Sequence, residues 1–428
     1  MRHEPAGDPA FRRYWIGTTV SLVGDYVTLV ALPLTAVVAL HAGPLTLGTL
    51  TALAWLPSLL LGIPAGAWAD RQPSPRRVML AADLARSLVL RSIPAAALLG
   101  MLSLPQLFAV ALMVGALSVA ADVAAPALFV RLVSPAGSVV GGQLIHGSRA
   151  GAALVGQALG GSLVALLTGP GALVLDVVSY VLSALALRRV PDGNPSVDAD
   201  RPRGRLGDGL TQVLREPVLR LLLASAMNLN AFMVMATALL PLFATRVLGL
   251  GPAQLGTALA VGALGGVAGA ALAGPTSRRL GTGPLLALGA LLYPLPFALL
   301  AGARGGGGAY AWAALAAAEL VSSVGVLLYD VGCGAVTACA VPLAAQSRVA
   351  GAFQAANYGV RPVAALAGGA LGTWLGLRAL FLVAALGGAM SAVWVLRPPL
   401  WWFRVPAPAA AEQNLGPRGH RQEAPAVL

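Results

Sequence analysis

DPAFRRYWIGTTVSLVGDYVTLVALPL (residues 8–34) opens on an acid, a proline and two arginines. It then stays apolar for longer than a soluble helix needs, with one carboxylate, Asp25, inside the run. EPVLRLLLASAMNLNAFMVMATALLPL (216–242) opens 208 residues later on an acid, a proline and one arginine before a similar apolar run without the carboxylate, with DPAFRR falling on EPVLRL and Pro33 on Pro241. The same ungapped offset places LGT (47–49) on LGT (255–257), Gly66 on Gly274, and Gly160 and Gly161 on Gly368 and Gly369. Further on it places Ser183 on Ser391, Arg189 on Arg397 and Pro191 on Pro399. A fixed period of this kind marks a structural unit written twice. It also puts Asp122 on Asp330, whereas Asp25 falls on Met233.

The surrounding composition says what the unit is. Of 428 residues 57% are hydrophobic and 10% charged, and mean hydropathy is +0.79, which excludes an ordinary soluble domain. A helix crosses a bilayer with about 20 apolar residues. Twelve runs meet that length, at about 14–40, 45–69, 78–100, 104–133, 142–167, 171–189, 218–247, 253–276, 284–302, 309–340, 347–374 and 376–397. The first is too long for a signal-peptide core and is read as a retained span. The net charge of +12 does not indicate nucleic acid, because the arginines are spread over short loops and no nucleic-acid motif accompanies them. Cys333 and Cys339 have no metal or disulfide spacing, so no metal site and no cofactor are expected.

Six spans per repeat means that span n and span n+6 enter from the same side. The expected architecture is therefore all-α, twelve transmembrane helices in two parallel six-helix repeats related by an axis along the membrane normal. The expected divisions are an N-terminal half (1–190), a polar cytoplasmic linker (191–217) that ends in an amphipathic helix, a C-terminal half (218–400) and a disordered tail (401–428). Of the arginines outside the spans, Arg246, Arg304 and Arg378 fall on one side and all the others on the side of the two termini. By the positive-inside rule both termini are cytoplasmic, in a multi-pass protein of the cell membrane.

These features resemble the major facilitator superfamily over about residues 8–400. GAWADRQPSPRR (66–77) is similar to the family's G-x-x-x-D-R-x-x-R-R loop, and VMLAADLAR with Asp83 and Arg86 follows it. The resemblance implies a gating latch made of Gly66, Asp70, Arg71, Arg76, Arg77, Asp83 and Arg86, with the second half keeping only GPTSRRLG (274–281). FRRYWIGTTVSLVGDYVTLVALPL (11–34) and LDVVSYVLSALALRR (175–189) resemble the drug-exporter branch that includes macrolide efflux proteins and siderophore (enterobactin) exporters. GQALGG (156–161) is similar to that group's antiporter motif, with Gln157 in place of the usual proline.

Ionisable groups inside the bilayer are costly and so point to function. Asp25 lies roughly 16 Å into its span at 1.5 Å per residue, on a small polar face with Gly17, Ser21 and Thr28. Asp122, the pair Asn228 and Asn230, and the pair Glu319 and Asp330 fall on spans 4, 7 and 10, which with span 1 line the central cavity in the fold this chain resembles. Arg86, Arg91, Arg149 and Arg361 also lie inside apolar runs. Arg86 and Asp122 are at similar depth and can pair, and Arg91 can reach Asp25 or Asp176; Asp176 itself is expected at the periphery. The expectation is a secondary transporter, a proton-coupled antiporter that exports an amphipathic small molecule such as an antibiotic or siderophore, with Asp25 carrying the proton. The alternatives are an importer or facilitator of a small metabolite, or a non-transporting receptor. No catalytic constellation is present, so no enzyme is expected, and the protein is expected to act as a monomer in the lipid bilayer.

Overall fold

The computed structural model describes residues 7–69, 71–134, 137–192 and 206–403. Asp70, linker residues 193–205 and the tail from 404 lie outside the described residues. The described residues are almost entirely helical: α1 (Pro9–Leu34, continued by a π turn Thr35–Ala39), α2 (Pro44–Ala69), α3 (Pro75–Leu90), α4 (Ser92–Leu98), α5 (Leu104–Leu132) and α6 (Ser138–Leu187). Then follow α7 (Leu206–Arg215), α8 (Pro217–Arg246), α9 (Pro252–Leu280), α10 (Thr282–Leu292), α11 (Leu295–Ala301), α12 (Gly308–Ala340), α13 (Leu343–Trp374), α14 (Leu377–Ala389) and α15 (Ser391–Val395). In hydrocarbon each backbone N–H and C=O must be bonded within its own segment, which is why apolar spans take this form.

Among the described residues nine segments are long and apolar enough to cross a membrane. One of them, α6, is two spans joined at Thr168, whose backbone is non-helical. The broken pair α3 and α4, and α13, which contains Arg348 and Arg361, complete the twelve. The short α7 is the amphipathic end of the linker.

The duplication is visible in the backbone. Helices start on Pro9 and Pro217, and on Pro44 and Pro252, pairs 208 residues apart. Proline suits the first helical turn, where its missing N–H is no loss. Pro33 interrupts the ladder inside α1 and the π turn follows it, while its counterpart Pro241 sits inside α8. The turn between the last two spans of each half is also shared: Thr168 has φ 72 and ψ 167, and Gly376, 208 residues on, has φ 82 and ψ 161. That conformation is essentially glycine-only and costs a residue with a Cβ about 1–3 kcal/mol. Thr168→Gly should therefore raise the thermal midpoint of the protein in detergent; an unchanged or lower midpoint would show that the threonine is not strained.

Two of the contacts between the halves are copies of each other. Gly48 of α2 meets Gly369 of α13, and Gly161 of α6 meets Gly256 of α9. A Cβ on Gly48 would lie 2.5 Å from the Ala365 carbonyl oxygen and 2.8 Å from the Gly369 Cα; on Gly256 it would lie 2.6 Å from the Gln157 carbonyl oxygen and 2.7 Å from the Gly161 Cα. The offset of 208 relates every residue of one contact to one of the other. Both lie toward the end of the bundle remote from the termini and linker. At the opposite end Val139 at the start of α6 and Leu280 at the end of α9 are exposed. Asp122, Arg149 and Asp330, each nearer the terminus-side end of its helix, are exposed as well; charged groups inside spans face water in preference to lipid, which argues for a central cavity open on the side of the termini.

Candidate functional site

Three helices of the first half bring their polar residues to one place. On the second arm of α6, Asp176, Ser179, Tyr180 and Ser183 are spaced i, i+3, i+4 and i+7, and so share a face. That face meets Asp25 and Thr28 of α1, and Asp83 and Arg86 of α3. The α1 backbone comes this close because residue 24 is glycine: a Cβ there would collide with the Asp176 and Ser179 side chains.

Arg86 is the hub. It is 6% exposed, ion-pairs with Asp83 one turn earlier on α3, and stands 3.9 Å from the Asp25 carboxylate. Its guanidinium carbon lies 4.4 Å from the centre of the Tyr180 ring, over the ring face. The Tyr180 hydroxyl donates to Asp25 at 2.6 Å, and the Ser183 hydroxyl donates to Asp83 at 2.7 Å. Asp176, with no exposed surface, accepts from the hydroxyls of Thr28 and Ser179. Only Asp25 reaches the cavity, with 38% of its side chain exposed. Three carboxylates thus lie beside one guanidinium, which pairs with Asp83 and Asp25 while Asp176 is held by hydroxyls. Leaving all three ionised would gather net negative charge in a low-dielectric space, where like charges repel strongly.

The second half has none of this. At the positions equivalent to Asp25, Asp83, Arg86, Asp176 and Tyr180 stand Met233, Leu291, Pro294, Ala384 and Gly388. Here a Cβ on Gly388 would meet Pro294 at 2.8 Å, where the first half holds a guanidinium over a ring.

Several expectations are corrected. Arg86 does not pair with Asp122: α5 reaches it through Ser118, 3.4 Å from Nη1, while Asp122 is exposed. Asp122 lies within electrostatic range of Arg86, Asp25 and the exposed Arg149. Arg91 is exposed at the break between α3 and α4 and forms no ion pair with Asp25 or Asp176. Asp176 is not peripheral; it is the most enclosed acid of the cluster. Glu319, partly buried, packs between α12 and α9, its Cβ against Gly262 and its Oε1 buried without a hydrogen-bond partner. Asp330 is exposed and within electrostatic range of Arg361. Asn228 donates to the Gly387 carbonyl at 2.9 Å and so joins α8 to α14, whereas Asn230 donates to Asn357 at 3.2 Å and approaches Arg361. Tyr180 had no distinguishing mark in the sequence, since an aromatic inside an apolar run reads as packing.

At the terminus-side end, Gly66 lies within α2 and Asp70 outside the described residues. Arg71 is exposed, and Ser74 caps α3 by accepting from the Arg77 N–H at 3.2 Å. The loop is fastened by a residue the motif does not contain. Asp192, just after α6, accepts from the Ser74 hydroxyl and from Arg76 Nε at 3.1 Å, and Arg76 also donates to the Arg188 carbonyl. Partial burial disfavours the ionised Asp192, but the bonds from Ser74 and Arg76 and the charges of Arg76 and Arg77 outweigh it, so its pKa lies below the usual carboxylate value. A lowered folded-state pKa means this contact is complete above about pH 4 and is lost as the pH falls through that lowered value. Asp192→Ala should speed hydrogen exchange at residues 73–78 at pH 7, and equal exchange in both proteins would mean the contact does not hold the loop.

Helical spans, a duplicated architecture and a charged cluster beside a one-sided cavity define a polytopic membrane transporter. The chain belongs to the major facilitator superfamily, whose family model matches residues 14–325. Among curated proteins none matches it in sequence. Solved structures share its fold at low identity. The nucleoside transporter NupG is 13% identical with a TM-score of 0.72, covering 90% of this chain and 98% of its own. A bacterial homologue of the iron transporter ferroportin in its inward-facing state is 17% identical with a TM-score of 0.69, covering 91% and 99%. A bacterial homologue of the lysosomal transporter Spinster, inward-facing and unoccupied, is 14% identical with a TM-score of 0.65, covering 92% and 95%.

Proposed function

We propose that the protein is a proton-coupled exporter of amphipathic small molecules, of the kind represented by antibiotics and siderophores, working in the cell membrane as a monomer. Its units are residues 1–190 and 218–400, joined by a cytoplasmic linker. The observation that carries the proton reading is the pairing of Arg86 with both Asp83 and Asp25, beside the buried Asp176, with Asp25 the one of the three that is substantially exposed. A proton arriving from the cavity neutralises Asp25 and weakens its attraction to Arg86, which keeps Asp83. Release of that proton restores the pair. The charge of the cluster is thereby tied to the state of the cavity, which is the requirement for alternating access by rocking of the two halves.

The arginine asymmetry supports cytoplasmic termini, so the cavity described here opens inward. Export rests on the resemblance of residues 11–34 and 175–189 to the drug-exporter branch. Everted vesicles containing the protein should accumulate a fluorescent amphipathic dye when respiration acidifies their interior, and a protonophore should abolish the accumulation. Accumulation that survives the protonophore removes proton coupling. Uptake confined to right-side-out vesicles assigns the importer alternative instead.

A further inference from the structure

Arg361, midway along α13, is held differently from Arg86. Its guanidinium carbon lies 4.2 Å from the centre of the Trp55 ring and 4.8 Å from that of Tyr358. The two rings form a wedge, their centroids 5.6 Å apart and tilted by 42°. Trp55 belongs to α2 of the first half, and Tyr358 to α13 of the second. The polar company is sparse: Asn230 Oδ1 is 3.5 Å from Nη2, and Nε is buried with no hydrogen-bond partner. No carboxylate of the described residues forms an ion pair with it, and Asp330 acts on it only at longer range. The side chain is partly open to the cavity.

A guanidinium inside a membrane protein needs an anion or several acceptors to offset its lost hydration. Two ring faces and one long amide contact supply only part of that, and the planar donor edge is left for something else. The cage is also not a feature of the duplicated scaffold. Positions equivalent to Trp55, Tyr358 and Arg361 hold Ala263, Ala150 and Ala153, so the fold is built once without it.

We propose that Arg361 is the recognition site for an anionic group on the transported molecule, a carboxylate or sulfonate attached to a planar apolar body that lies against Trp55 and Tyr358. This deepens the transport reading above and rests on it. The anion replaces the weak Asn230 contact and meets the two Nη groups together, in the two-point geometry that suits guanidinium to carboxylate. The wedge spans both halves, so occupancy is felt at their junction.

The test is binding to the full chain in nanodiscs, without a gradient, of two probes that share a ring and differ in charge: 1-naphthoate and 1-naphthamide. Wild-type protein should hold naphthoate at least tenfold more tightly. Arg361→Gln should erase that ratio, Arg361→Lys should keep part of it, and Arg149→Gln, which removes another intramembrane arginine, should leave it intact. Equal binding of the two probes by the wild type, or a ratio that persists in Arg361→Gln, overturns the proposal. Lack of any naphthoate binding overturns it too. Failure of proton-driven accumulation would instead remove the coupling reading, and an anion preference measured without a gradient would survive it.

Discussion

Asp25→Asn abolishes proton-driven accumulation and leaves substrate exchange running: that is the result expected in everted vesicles. The asparagine has nearly the same shape and can still accept the Tyr180 hydroxyl now 2.6 Å away, so the packing of α1 against α6 is retained. What disappears is a charge that can be switched 3.9 Å from a buried guanidinium. Accumulation should fall by up to roughly 50-fold, equivalent to about 2.3 kcal/mol of lost driving force, while counterflow of labelled for unlabelled substrate should persist. Tyr180→Phe removes one hydrogen bond and leaves the charge, so its accumulation should fall by less and its pH dependence should shift. An Asp25→Asn protein that still concentrates substrate would move the proton to Asp122 or Asp330. Those two are distinguished by making the same substitution at each.

The second large effect is expected at the paired glycine contacts. A Cβ on Gly161 would stand 2.6 Å from the Gly256 Cα, and the neighbour is backbone that cannot turn aside. Gly161→Leu must push α6 and α9 apart, at an overpacking cost of about 1–3 kcal/mol. The cost falls only on the conformation in which these helices touch, so the equilibrium moves roughly 5- to 150-fold toward the conformation in which they do not. Gly48→Leu should do the same through α2 and α13. Spin labels at Val139 and Leu280, on a protein with Cys333 and Cys339 replaced by alanine, should report a shorter separation in either variant as the terminus-side mouth closes. An unchanged distance distribution in both would falsify the idea that these contacts seal the far end.

Much of the scaffold was legible without coordinates. The 208-residue offset carried the duplicated helix starts at Pro9 and Pro217, and hydrophobic length located the spans, because a bilayer tolerates few alternatives to a continuous helix. The site was legible only in its parts. Asp25, Asp83, Arg86 and Asp176 stood out as charges in apolar runs, but their grouping depends on how α1, α3 and α6 pack, and on a glycine at 24 that admits the side chains. Glu319 and Asp330 illustrate the limit. They are eleven residues apart and nearly on one face of α12, yet the bundle is tight at the first and open at the second, so one packs against Gly262 and the other is exposed. Periodicity fixes direction around a helix, not what stands opposite at each depth. Asp192 escaped notice because one more acid in a polar linker carries no signal until Ser74 and Arg76 are seen to meet it.

The Arg86 cluster occurs in one half alone, and that sets a ceiling on what the machine can accomplish per turn. On the proton-coupled reading proposed above, a fold with two copies of its scaffold would have a single loading point for the coupling ion. One elementary charge moving through 100 mV yields about 2.3 kcal/mol, enough for a concentration ratio of roughly fifty. A measured ratio well beyond the value permitted by one proton would have to draw on a second charge. If the cargo is itself an anion held by Arg361, its own outward passage supplies that charge, and the inside-negative voltage acts on it as well as on the proton.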